Sequence, residues 1–332
     1  MKQTIFKSTQ SIVKAIMLSI CMVAVIISCS QKQAKETDKS ANNLSTGEGY
    51  VEVEGGKVWY GIMGGGDKTP ILCLHGGPGG TSAGYYKLSE LAEERPIIFF
   101  DQLGSGRSDH HQDTSLLKVE KFVEQVHAVK EALMLDNFYL MGGSWGGALA
   151  LEYYLVHPEG IKGLIFRSPY FSTPIWEKDA DILVSQLPDT IKAAIYQAEK
   201  DSTFNTEAYA AANTYFLKQH GRRTEKVQHP YDTVPSPGNS FIYNYMWGPS
   251  EFTATGTLKT YDNHEALKKV KVPALFTTGE YDEARPETIE ELSKLVPQSS
   301  FVVIPDAGHS TLSDNRSAMI GAIQTFLKEQ EE

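Results

Sequence analysis

The chain has 332 residues, 41% of them hydrophobic, enough for one large domain or two medium ones built on a sizeable core. Its formal net charge is -10 and no basic stripe runs along it, which argues against a nucleic-acid partner held through the phosphate backbone.

In chain order, residues 1–28 read as an export signal. Lys2, Lys7 and Lys14 lead into "AIMLSICMVAVIIS", which is too short and too close to the N-terminus for a membrane span. The stretch closes on Ile26-Ile27-Ser28-Cys29, which resembles the bacterial lipobox, where a small residue precedes a cysteine that becomes the lipidated new N-terminus. That resemblance implies an exported lipoprotein of the cell envelope, anchored through Cys29 to the periplasmic or surface face of a membrane; an ordinary secretory peptide or an uncleaved anchor is the alternative. Residues 29–49 are polar and charged without apolar periodicity and read as a flexible tether. With Cys21 leaving in the signal and Cys29 lipidated, Cys73 has no disulfide partner and reads as a small buried strand residue.

From Tyr50, "YVEVEGGKVWYGIMG" alternates apolar and polar residues around Gly55-Gly56, a β-hairpin pattern. Six short apolar runs follow as strands: "PILCLHG", "PIIFFDQ", "NFYLMGG", "IKGLIFRSP", "PALFTTGEYD" and "SFVVIPDAG". Helical spacing separates them, most plainly in residues 118–135, where Val119, Phe122, Val123, Val126, Val129 and Leu133 share one face. Further helices are expected after Ser144, in "ETIEELSKLV" and in "NRSAMIGAIQTFLKE". The alternation predicts an α/β fold, a mostly parallel sheet with helices on both faces, over residues 50–169 and 263–332. Between 170 and 262 it lapses. That insert holds 15 of the 34 aromatic residues, too many for a solvated linker, and reads as a helical cap with "DADILVSQL" and "TEAYAAANTYFLKQH" as its helices.

Gly142-Gly143-Ser144-Trp145-Gly146 satisfies G-x-S-x-G, in which glycines permit a sharp strand-to-helix turn with the serine at its tip. The string alone is weak, but a strand precedes it and a helix follows. A serine hydroxyl needs a base, and the base an orienting carboxylate. In the chain order Ser, acid, His, the acid is expected after a late strand and the histidine in a loop near the C-terminus. Asp282 is preferred as the acid over Glu280, Glu283 and Asp306. Among nine histidines, only His309 joins a Gly-flanked loop to a position beyond the acid. Oxyanion donors are expected from the N–H of Trp145 and, in "HGGPGG", from Gly77. No H-E-x-x-H, cysteine pair or carboxylate cluster suggests a metal, and no cofactor is expected.

"HGGPGG", "DQLGSGRS" and "GGSWGG", with "GEYDE" and "DAGH" later, resemble the proline iminopeptidases, α/β-hydrolase aminopeptidases that include the tricorn-interacting aminopeptidase. The resemblance runs from about Tyr50 to Phe326 and includes "MWGPSEFTATGTLK" in the cap. It implies release of an N-terminal residue, often proline, from short peptides with a free N-terminus; some relatives act on amino-acid amides. An enzyme restricted to the first residue must recognise an α-ammonium group, for which a carboxylate is the natural partner. Acidic cap residues take this role in the family. Glu251 matches one such position, whereas the second falls at Thr214, which leaves Glu207 or Glu283 as the companion acid. Two other readings stay open: an esterase, lactonase or amino-acid amidase with the same triad, and a non-catalytic ligand-binding lipoprotein.

Overall fold

The computed structural model describes residues 44–225 and 237–332. The expected signal peptide, Cys29 and most of the expected tether lie outside the described residues, as does part of the proline-rich passage of the cap. Strands β1 (Gly47–Val53) and β2 (Gly56–Met63) form the antiparallel hairpin, with Val51 opposite Val58 and Gly55 at φ 92 in the turn. The tether therefore ends three residues earlier than the alternation suggests. Gly47, Glu48 and Gly49 pair with Ile62, Gly61 and Tyr60, and two glycines carry no side-chain pattern from which a strand could be read.

The remaining strands are β3 (Ile71–Leu74), β4 (Ile97–Phe100), β5 (Phe138–Gly143), β6 (Ile161–Arg167), β7 (Ala274–Gly279) and β8 (Ser299–Ile304). They complete a sheet of order β1-β2-β4-β3-β5-β6-β7-β8. β3 to β8 run parallel to one another, and β2 pairs antiparallel both with β1 in the hairpin and with β4. Every residue of β3, β4, β5 and β7 is buried, as expected of strands covered on both faces. β3 serves both cores: Leu72 and Leu74 pack on one side, Ile71 and Cys73 on the other. Cys73 is thus a core residue, and burial raises the pKa of its thiol far above its ordinary range.

Helices α1 (Val119–Ala132) and α2 (Trp145–Val156) cover the first face. The insert folds as α3 (Thr173–Ser185), α4 (Asp189–Asp201), α5 (Glu207–Phe216) and α6 (Ser240–Met246). After it come α7 (Pro286–Ser293), the single turn α8 (Thr311–Asp314) and α9 (Arg316–Glu331), whose Met319, Ile323 and Phe326 close the second face. α3 starts six residues before the expected piece, because Ser172 caps it by accepting from Ile175 N at 3.3 Å and Pro174 follows in its first turn. α4 is an element the sequence reading did not find; it buries only Ile195 and Ala198, too thin a stripe to stand out as a period. The cap has a core of its own around Leu183, Ile195, Tyr209, Phe216 and Phe252, while Tyr170, Trp176 and Trp247 join the core of the sheet. Asp179 of α3 accepts from Arg285 Nη1 (3.2 Å) and Thr288 Oγ1 (2.9 Å), tying the cap to the start of α7. Among the described residues, no helix is long and apolar enough to cross a membrane.

Candidate active site

β5 ends at Gly143, α2 begins at Trp145, and Ser144 between them sits at φ 55, ψ -124, a strained conformation for a residue with a side chain. The flanking glycines are required by contact. A Cβ on Gly142 would lie 2.0 Å from the carbonyl oxygen of Gly146, and one on Gly146 would lie 2.1 Å from that of Leu74. Main-chain bonds hold the bend: Ser144 N donates to Arg167 O (3.1 Å), and Ser144 O accepts from Gly147 N (2.8 Å) and Tyr170 N (3.2 Å).

Asp282 lies just beyond β7 and His309 just beyond β8, so two parallel strands deliver both to the same end of the sheet. His309 Nδ1 is 2.7 Å from Asp282 Oδ1, which assigns the Nδ1–H tautomer and leaves Nε2 as the basic nitrogen. Asp282 also accepts from Ser168 Oγ (2.6 Å), Gly279 N (3.0 Å), Thr278 Oγ1 (3.1 Å) and Ala284 N (2.9 Å). Burial alone would raise its pKa, but the His309 charge and these hydrogen bonds outweigh it and hold the carboxyl below its ordinary range. Of the rival acids, Glu280 and Asp306 face elsewhere, whereas Glu283 lies near the His309 ring without bonding it. Glu280 is exposed and accepts from Asp306 N at 3.0 Å, and Asp306 is exposed too. Ser144 Oγ is not hydrogen-bonded to the His309 ring in this structure; catalytic contacts of this kind often tighten only when substrate binds.

Ser144 opens on a narrow pocket lined by Gly77, Pro78, Trp145, Tyr170, Trp176, Trp247, Leu258 and Glu251. The rings of Tyr170, Trp176 and Trp247 meet edge to face, with centroids 5.4–6.2 Å apart, and Trp176 also stands edge-on to His309 at 5.7 Å. Trp176 Nε1 donates to Glu251 O at 2.9 Å, which fixes the chain that carries the acid. Glu283 is buried with Oε1 3.7 Å from His309 Nδ1, and its Oε2 has no hydrogen-bond partner. Burial first, then the charges of Glu251 and Asp282, push the Glu283 carboxyl far above its ordinary range. Burial raises Glu251 as well, against the pull of His309 and of the Tyr243 hydroxyl.

The structure therefore brings Glu251 and Glu283 together and corrects the expectation for Glu207. That residue is exposed in the first turn of α5, where an acid suits the helix dipole, and it does not line the pocket. Thr214 is exposed on the same helix, its hydroxyl returned to Ala210 O at 2.9 Å.

Gly77 lines this pocket together with Trp145, at φ 117, a backbone setting that favours glycine. Its loop is braced by residues the sequence reading quoted without a role. Gln102 N donates to His75 Nε2 (2.9 Å), Gln102 Nε2 to His75 O (2.9 Å), and the indole Nε1 of Trp145 to Gln102 Oε1 (3.1 Å). Asp101 accepts from Ser82 N (2.8 Å) and Arg107 N (2.9 Å), which secures the loops on either side. Ser168, Gln102 and Trp176 are supports that only folding reveals, although Gln102 stood in the quoted "DQLGSGRS". Among the described residues, no group of three or more His, Cys, Asp or Glu is placed to hold a metal.

Residues 69–315 match the family model described as the alpha/beta hydrolase fold. A proline iminopeptidase of Heyndrickxia coagulans is 40% identical over 284 residues, covering 84% of this chain and 98% of that protein. One from Saccharolobus solfataricus is 32% identical over 289 residues, 86% of this chain and 93% of its own length. The crystal structure of proline iminopeptidase from Mycobacterium smegmatis superposes with a TM-score of 0.77 at 26% identity, covering 86% of this chain and 99% of that one.

Proposed function

Because the chain belongs to the proline iminopeptidases, a family of α/β hydrolases, we propose that it is a serine aminopeptidase releasing an N-terminal residue, preferably proline, from short peptides. In this reading Ser144 attacks the carbonyl of the first residue while His309, oriented by Asp282, takes its proton and returns it to the leaving amine. The N–H groups of Gly77 and Trp145 receive the oxyanion; Trp145 is the first residue of α2, where main-chain donors have no partner within the helix. Water then releases the acyl group with the help of the same base.

The observations that support the proposal are Glu251 in the pocket that Ser144 opens on and Glu283, buried near His309 and within reach of the Glu251 charge. Two carboxylates raised by burial and, at Glu283, by its neighbour's charge become favourable as anions once a cation sits near them. An α-ammonium group is such a cation, and the Tyr170, Trp176 and Trp247 rings suit an apolar residue attached to it. Rates on a proline arylamide and on its N-acetyl derivative test this: the free amine should be cleaved and the acetylated compound refused. Equal cleavage of both would favour an esterase or amidase without an ammonium anchor.

Residues 1–29 support a further part of the reading, that the mature enzyme is exported and held by lipid on Cys29. Labelled fatty acid should enter the protein in cells, and Cys29→Ser should abolish that incorporation; unchanged labelling would remove the anchor.

A further inference from the structure

A second cavity borders the same catalytic loops. It has a volume of about 140 Å³ and is lined by His75 and Gly76 of the oxyanion loop, by Thr81 and Tyr85, by Ser310 and Ser313 beyond His309, and by Arg167 at the end of β6. No acid lines it. Arg167 Nη1 donates to His309 O at 3.1 Å, but its Nε is buried without a hydrogen-bond partner, and among the described residues no carboxylate pairs with this guanidinium. The nearby acids are otherwise engaged: Asp282 by its donors, and Asp314 by Gly308 N (3.0 Å), Arg223 N (3.1 Å) and Thr224 N (2.9 Å). His75 is no second cation, because burial lowers its pKa and its Nε2 accepts a hydrogen bond.

The cavity is also close to the reacting serine. A Cβ on Gly143, the residue before Ser144, would lie 2.2 Å from Arg167 Nη2, and one on Gly76 would lie 3.6 Å from Ser144 Oγ. Gly77 lines the acyl pocket and Gly76 lines this cavity, so a single loop divides the two. If the first residue is held at Glu251 in the Gly77 pocket, the leaving amine departs past the Gly76–Gly77 loop, toward the hydroxyl groups and the guanidinium that line this cavity.

We propose that this cavity is the subsite for the leaving residue, and that Arg167 binds its C-terminal carboxylate, so that dipeptides are preferred substrates. The inference rests on the aminopeptidase reading. A guanidinium that lines the cavity and has no carboxylate partner among the described residues gains a charge-assisted bond from a ligand carboxylate that it does not gain from a carboxamide.

The test compares kcat/KM on prolyl-alanine, on prolyl-alaninamide and on a proline arylamide, with the full chain. The free acid is expected to exceed the amide by at least about tenfold, the lower range for a hydrogen bond to a charged group. Arg167→Met should bring that ratio to about one whatever it does to the absolute rates, and Arg167→Lys should keep part of it. Cleavage of the arylamide with equal rates for acid and amide removes the subsite and leaves the activity. Cleavage of none of the three removes both. A variant that loses acid and amide rates by the same factor would make Arg167 a brace for the His309 loop and overturn the proposal.

Discussion

Asp282 and Glu283 leave β7 on the same loop and both are buried, yet the two regions they serve treat a carboxylate in opposite ways. Asp282 has five hydrogen-bond partners, His309 included, and its pKa is held low; Glu283 has an orphaned oxygen and its pKa is driven up by burial and by Glu251. The difference teaches that burial does not decide protonation by itself. On the Asp282 side the protein supplies the donors that replace water. On the pocket side it withholds them, and the deficit is left for a cation to fill.

Substitutions that separate the two carboxylates test that contrast. The largest effect is expected from Asp282→Asn, which leaves His309 without its orienting acceptor: kcat should fall by about ten-thousandfold on every substrate, amine-bearing or not. Next is Glu251→Gln, which should cost about a hundredfold or more in kcat/KM on free-amine substrates and far less on an ester without an amino group. If Glu251→Gln slows both equally, the pocket has no ammonium role and the contrast fails.

The pH profile sharpens the same point. Since Glu251 and Glu283 are raised, their neutral forms persist above the ordinary carboxylate range, and an ammonium group needs the ionised forms. The ratio of kcat/KM for an amino ester to that for its des-amino analogue should therefore drop as pH falls, and His309 protonation cancels in the ratio. A flat ratio would contradict the assignment. Smaller again is Ser168→Ala, which removes one donor from Asp282 and should lower kcat by roughly tenfold or less.

The smallest effect concerns stability. The folded pKa of Glu283 lies above its unfolded value, so the native state holds a proton that the unfolded chain gives up. Its contribution is full below the unfolded carboxylate pKa and is lost as pH rises toward the folded one. Glu283→Gln should therefore melt higher than the wild type at neutral pH, with the gain shrinking in acid, while its aminopeptidase rate falls. A variant that melts lower at neutral pH would mean that Glu283 is a satisfied structural acid.

Much of this was legible because it rests on local rules. Alternation marked the hairpin, continuous apolar runs marked the parallel strands, and the glycines around Ser144 announced a turn that the fold does make, with Ser144 at φ 55. Asp282 and His309 could be named because chain order sets which strand ends become neighbours in a parallel sheet. α4 escaped because its apolar stripe is thin, and the first residues of β1 because glycines show no alternation.

The choice among Glu207, Glu251 and Glu283 depended on where the cap comes to rest. Glu207 and Glu251 both lie in the insert, but one ends exposed at a helix start and the other beside Ser144. The sequence by itself determined the strand pattern, the elbow and the order of the triad candidates, since periodicity and turn chemistry act between near neighbours. Only the tertiary structure decided that Glu283 is short of donors and that, among the described residues, Arg167 stands without an acid. Desolvation and charge pairing are summed over atoms close in space, whatever their separation along the chain.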